Sequence, residues 1–323
     1  MTTAHPVATE VDQKDIDEAR AFNAQLEALL KTMPAPGTVP VEVTRRARRE
    51  GKGIFPAPVF LEEAIDLEVP GRSGPIKVRV IKPDRQPTGI YVHLHGGGWT
   101  LGAHDMQDAG LKLLANETGL CAASIDYRLA PENPYPAGPD DCEAAVLHLL
   151  QHGEEILAAP ARFAIGGESA GAHLAVVTLL RLRDRHGITN RFVAANLVFG
   201  AYDLNGTPSQ VLWGDRYLVL SWPIIRWFTD NFVPGRSFEQ RRDSDISPLY
   251  ANLDDMPPAL FTVGTMDCLM DDSLFMAERW RLAGNASRLA VYPEGVHGFS
   301  AYPTGLARKA NATQFEFLRN ALS

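Results

Sequence analysis

From about residue 60 to the C-terminus, short apolar runs alternate with stretches of helical periodicity, and few architectures accept that order. FLEEAIDLEVP and IKVRVIKP read as two strands joined by a GRSGP turn. IYVHLH (90–95) precedes a helix near 105–118, LCAASIDY (120–127) precedes one near 138–152, and RFAIGG (162–167) precedes one from 169 to about 186. AANLVFG (194–200), ALFTVG (259–264) and SRLAVYP (287–293) follow, and a last helix occupies about 304–321. Such alternation predicts an α/β chain, with a mostly parallel sheet and helices on both faces. The opening pair supplies an antiparallel edge.

Two segments stand outside the rhythm. Residues 12–33 carry Ile16, Ala19, Phe22, Leu26, Leu29 and Leu30 at spacings of three and four, an amphipathic helix ended by MPAPG. Residues 203–256 hold WGDRY, SWPIIRWF and VPGRSFEQRRDSD but no clear strand. An insertion of that length before a strand is expected to cover a site. The division expected is therefore an N-terminal cap segment (1–55), a catalytic domain (56–323), and 203–256 as an insertion that joins the cap. The four arginines of VEVTRRARRE (41–50) are expected to form a solvated helix face.

Charge and cysteine usage narrow the class. With 39 acidic and 31 basic residues, the net charge of −8 argues against nucleic acid as a partner. Cys121, Cys142 and Cys268 are odd in number and irregularly spaced, which suggests neither a disulfide framework nor a zinc site and fits a reducing, cytoplasmic setting. No apolar run approaches the roughly 20 residues of a membrane span. The opening MTTAHPVATEVDQKD has neither an apolar core nor a basic leader, so no signal peptide is expected.

The chemistry is concentrated at strand ends. Gly167-Glu168-Ser169-Ala170-Gly171 matches G-x-S-x-G where a strand turns into a helix, a tight turn that leaves a serine oxygen bare above the sheet edge. A serine needs a base, and the base needs an orienting acid. His297, in EGVHGFS, follows strand SRLAVYP, and Asp267, in GTMDCLMDD, follows strand ALFTVG. All three fall at the carboxyl edge of the sheet in the order Ser, Asp, His, the order of an α/β-hydrolase. Asp271 and Asp272 are rival acids, expected instead to cap the next helix. In HLHGGGW (93–99), three glycines after a strand free backbone N–H groups for an oxyanion, with Gly97 and Gly98 supplying two donors and Ala170 the third. His95 is expected to be structural. Trp99 is the expected pocket-lining residue, with Glu168, Trp213 and Trp222 as further candidates, although most insertion aromatics are expected to fasten the cap to the body.

HGGGW, YRLAPENPYPAGPDD (127–141), GESAG, DCLMDD and HGF together resemble the hormone-sensitive-lipase family of α/β-hydrolases, the bacterial group IV esterases, over about residues 60–320. The resemblance implies an eight-stranded sheet and a cap from the N-terminal segment and the insertion. It implies Ser169, Asp267 and His297 as a catalytic triad, Gly97, Gly98 and Ala170 as the oxyanion hole, and a bracing role for Tyr127, Arg128 and Glu132. Cys268 stands where the family usually has proline, and Glu168 where it often has Asp or Thr. The expected function is hydrolysis of short- to medium-chain esters, with a small-molecule ester and water as partners and neither cofactor nor metal. Amide deacetylation or lactone hydrolysis by the same triad is the alternative. A non-catalytic receptor, as in the similar gibberellin receptors, is disfavoured by His297. The last strand, as a sheet edge, makes a homodimer through that strand and the terminal helix plausible.

Overall fold

The computed structural model describes residues 9–322. Eight strands form one sheet: β1 (Ile65–Gly71), β2 (Gly74–Ile81), β3 (Gly89–Leu94), β4 (Leu120–Ile125), β5 (Phe163–Glu168), β6 (Phe192–Val198), β7 (Ala259–Met266) and β8 (Ser287–Val296). Their spatial order is β1-β2-β4-β3-β5-β6-β7-β8. The β1–β2 and β2–β4 pairs are antiparallel and all others parallel, as the alternation required. The central strands are buried on both faces, which is why they read as unbroken apolar runs. Within β3, Ile90, Val92 and Leu94 join one core cluster and Tyr91 the opposite one.

The helices are α1 (Gln13–Leu30), α2 (Val41–Arg49), α3 (Asp108–Thr118), α4 (Ala137–Leu157), α5 (Ala170–His186), α6 (Pro208–Trp213), α7 (Trp222–Phe232), α8 (Phe238–Arg241), α9 (Met270–Leu282) and α10 (Gly305–Ala321). Cys142, Leu174 and Trp280 place α4, α5 and α9 on one face, and Leu111 and Leu318 place α3 and α10 on the other. β1 starts at Ile65, later than FLEEA suggested. α4 runs to Leu157, past the expected end. Among the described residues, no helix is long and apolar enough to cross a membrane. The first eight residues, on which the absence of a leader was argued, lie outside the described residues.

The two segments outside the alternation meet. The Arg216 guanidinium donates to both Glu27 carboxylate oxygens at 3.1 and 3.0 Å, Leu26 and Leu30 share a core cluster with Leu218 and Val219, and Trp227 packs on Gly37. The arginines of α2 bear out the expected solvated face only in part. Arg45 donates to the carbonyls of Thr100 and Ala130, each at 2.9 Å, and to both oxygens of Glu132 at 2.8 and 2.9 Å. Arg49 makes a two-pronged pair with Asp105 at 3.0 and 2.7 Å. These partners lie more than fifty residues away, so no local pattern could reveal them. Arg46 and Arg49 are exposed, as the solvated reading expects, whereas Arg45 and Arg48 are half-buried.

Asp272 corrects a second expectation. It does not cap α9 but accepts from the N–H groups of Tyr202 and Asp203, the Thr207 hydroxyl and the Gln210 amide at 2.7–3.0 Å, tying the start of the insertion to the body. Asp271 likewise accepts from Ser209 N–H at 2.8 Å. Asp272→Ala leaves four buried donors without an acceptor. We expect a loss of about 3–5 kcal/mol, measured by denaturant unfolding.

Candidate active site

The chain passes from β5 into α5 through one residue, Ser169, held at φ 56° and ψ −119°. Positive φ in a non-glycine residue costs about 1–3 kcal/mol and persists only where the surroundings enforce it. They do so here. A Cβ at Gly167 or Gly171 would land on the carbonyl oxygen of Leu94, so only glycine lets the end of β3 press against the turn. Ser169 N–H is fixed to Val198 O at 2.9 Å. The side chain is left free, at the N-terminus of a 17-residue helix whose dipole favours negative charge.

The neighbouring strands supply the rest. His297 directly follows β8, and Asp267 directly follows β7. His297 Nε2 lies 3.0 Å from Ser169 Oγ, and its Nδ1 lies 2.9 Å from Asp267 Oδ2. The other Asp267 oxygen accepts Leu269 N–H at 2.9 Å, which fixes the carboxylate plane. Both His297 and Asp267 are buried, and Phe199 packs edge-on against the imidazole at 4.9 Å. The three groups named from the sequence are therefore within hydrogen-bond reach in the order serine, imidazole, carboxylate. An imidazole so placed can accept the serine proton while the carboxylate stabilises its charged form.

The glycine loop lines the same cavity as Ser169. Among the described residues, the N–H groups of Gly97 and Gly98 have no acceptor, and Ala170 N–H opens α5, where no intrahelical acceptor exists. The loop is braced from below. Tyr127 Oη donates to His95 O at 2.7 Å, and its ring stacks on the His95 imidazole at 4.2 Å. Burial pushes the His95 pKa down to about 4, so it is neutral at pH 7 and serves as packing. Arg128 pairs with Asp141 at 2.8 Å, and Glu132 holds Arg45, so the YRLAPE segment braces the loop and ties down α2. Gly97 sits at φ 125°, where a Cβ would strike Leu101 O. Gly97→Ala is expected to lower kcat by about 10²–10³-fold with little change in KM, in steady-state kinetics on an aryl ester.

A cavity of about 410 Å³ opens on Ser169 and His297. Glu168 lines it as expected, with its carboxylate accepting from His93 Nε2 at 3.0 Å and Gln107 Nε2 at 3.1 Å. Burial pushes the Glu168 carboxyl up, but the His93 ring and the Gln107 amide outweigh it and hold the group below the usual range. Trp99, Trp213 and Trp222 are corrections, for none lines the cavity. Trp99 is turned into the core, its Nε1–H bonded to His173 Nδ1 at 3.1 Å and its ring stacked on Phe232 at 4.7 Å. Trp213 donates to Arg216 O at 2.9 Å, and Trp222 packs on Gly206. The apolar wall is built instead from Phe55, Phe199, Val219, Leu220 and Phe228, and a second arm runs toward Leu114 and Phe315. No periodicity marks these residues, because they converge from five separate segments. Cys268, beside the acid, is buried, and burial raises its thiol pKa far above the ordinary value, so the missing proline introduces no nucleophile.

Residues 91–301 match the family described as the alpha/beta hydrolase fold, and the chain belongs to it, as its motifs implied. Proteins similar to it are named as ester hydrolases. The chain is 34% identical over 289 residues to the carboxylic ester hydrolase LipN of Mycobacterium tuberculosis, covering 88% of this chain and 70% of that one. It is 33% identical over 296 residues to the carboxylesterase NlhH of the same organism, covering 89% and 92%. An esterase structure from Pyrobaculum calidifontis superposes with a TM-score of 0.82 at 28% identity, covering 92% of this chain and 98% of that one.

Proposed function

We propose that the chain is a carboxylesterase that cleaves short- to medium-chain esters through an acyl-enzyme on Ser169, with His297 and Asp267 as the other members of a triad. Carboxylic ester hydrolysis is the chemistry for which LipN and NlhH are named, and the superposed Pyrobaculum structure is that of an esterase. The observation that carries the reading is the hydrogen-bonded chain from Ser169 Oγ through His297 to Asp267, 3.0 and 2.9 Å long.

In this reading, His297 Nε2 takes the hydroxyl proton as Oγ attacks the ester carbonyl carbon. The negative oxygen is received by the N–H groups of Gly97, Gly98 and Ala170. The carbonyl–alkoxy bond breaks, and His297 returns its proton to the departing alcohol. Water, deprotonated by the same imidazole, then releases the acid and regenerates Ser169. Residues 9–55 and 203–256 act as the cap, and Val219, Leu220 and Phe228 of the insertion bound the cavity. A volume of about 410 Å³ suits short and medium acyl chains. Hydrolysis of p-nitrophenyl esters from acetate to palmitate is expected to peak at or below about eight carbons. A maximum at palmitate overturns the size assignment.

A homodimer through β8 and α10 has a restricted path. Thr9 N–H already donates to Val291 O at 2.7 Å and Asn23 Nδ2 to Glu294 O at 2.7 Å, so strand pairing is left to the Ser287–Ala290 end. Light scattering that gives the mass of one chain excludes it.

A further inference from the structure

Two charged side chains line the cavity, and they differ in how they are compensated. Glu168 is held by His93 and Gln107. Arg48 is not held: among the described residues its guanidinium has no hydrogen-bond or ion-pair partner, although Arg45 and Arg49 on the same helix each grip a carboxylate. It lies over the face of Phe55, 5.4 Å from ring centroid to guanidinium carbon. Phe55 is in turn against the catalytic loop, since a Cβ at Gly298 would lie 2.6 Å from its ring. Arg48 thus stands one aromatic ring away from the residue following His297. Beside it, Tyr302 stacks on Phe55 at 5.5 Å and carries a buried hydroxyl with no partner, close enough to interact electrostatically with the Arg48 charge. The unpaired guanidinium lines the cavity, and the unpaired phenol is buried near it.

We propose that Arg48, assisted by Tyr302, is a specificity residue that binds a carboxylate carried by the ester at the end remote from the scissile bond. This rests on the esterase reading and adds the substrate class: half-esters of dicarboxylic acids, or esters of a carboxylated alcohol. A guanidinium stays charged at all working pH values, and a partly buried one without an anion is the costly state that a substrate carboxylate relieves. Burial accordingly pushes its pKa down. Long-range steering cannot supply the preference, because the whole chain carries a net charge of −8.

Two matched pairs test the proposal and separate its two sources. The p-nitrophenyl half-ester of glutaric acid against p-nitrophenyl pentanoate probes the acyl side. The acetate ester of 3-hydroxybenzoate against 3-methylphenyl acetate probes the alcohol side. In one pair, the carboxylated ester is expected to exceed its neutral partner in kcat/KM by about ten- to a hundredfold. Arg48→Met, which keeps the apolar stem over Phe55, is expected to abolish that preference while changing the neutral ester less than about threefold. Arg48→Lys is expected to restore part of it. Neutral esters favoured in both pairs by the unaltered enzyme, or a preference that survives in Arg48→Met, overturns the proposal. The unaltered enzyme alone decides the first point, so a variant that fails to fold leaves the test intact. Failure of the esterase reading looks different: neutral ester hydrolysis that persists in Ser169→Ala.

Discussion

Ser169→Ala is expected to lower kcat on p-nitrophenyl butyrate by about 10⁴–10⁶-fold and to leave the unfolding midpoint within a few degrees of the parent. The size follows from what is lost. Without Oγ there is no atom 3.0 Å from His297 Nε2 to attack the carbonyl, and the acyl-enzyme route closes. The oxyanion donors and the cavity survive, so substrate affinity is expected to hold and the residual rate to reflect direct attack by water. Stability changes little because the enforced turn does not rest on the hydroxyl. Its main-chain bond to Val198 and the glycine contacts with Leu94 remain. Activity within tenfold of the parent would remove Ser169 from the mechanism.

Asp267→Asn is the second large effect, a fall of about 10⁴-fold in kcat at neutral pH. The Asp267 carboxylate accepts from His297 Nδ1, which leaves Nε2 as the basic nitrogen facing Ser169. An amide can instead donate to Nδ1, which forces the proton onto Nε2 and leaves the serine without a base. The substitution is nearly isosteric, and the bond from Leu269 N–H to the remaining oxygen can persist. The loss should therefore appear in kcat and not in folding, and circular dichroism melts alongside steady-state kinetics separate the two. Rescue by Asp271 or Asp272 is not expected, because both are committed to the insertion.

The fold was legible because its strongest constraints are local. Buried parallel strands read as apolar runs, the helices between them keep their period, and all eight strands fall where those runs lie. The grouping of serine, imidazole and carboxylate was legible for the same reason. Ser169, Asp267 and His297 each follow a strand directly, and strand ends of a parallel sheet share one edge whatever the loops do. The pocket was not. Trp99 adjoins the oxyanion loop in sequence, but at φ 55° its side chain turns back into the core toward His173. Phe55 and Phe228 reach the cavity from segments outside the strand–helix alternation, and how such segments settle on a sheet leaves no periodic mark. The α2 arginines misread for a related reason. A basic helix looks solvated until the carboxylates and carbonyls that meet it, Glu132, Asp105 and Ala130, are brought up by the fold.

If an acyl group passes through Ser169, the mass of the enzyme caught in turnover reveals it directly. The enzyme is mixed with excess p-nitrophenyl butyrate, quenched in acid within milliseconds, digested and analysed by mass spectrometry. A butyryl group is expected on the peptide containing Ser169, disappearing as substrate is exhausted and absent from Ser169→Ala. Turnover together with an acyl group on another residue, formed and lost at the catalytic rate, would contradict it.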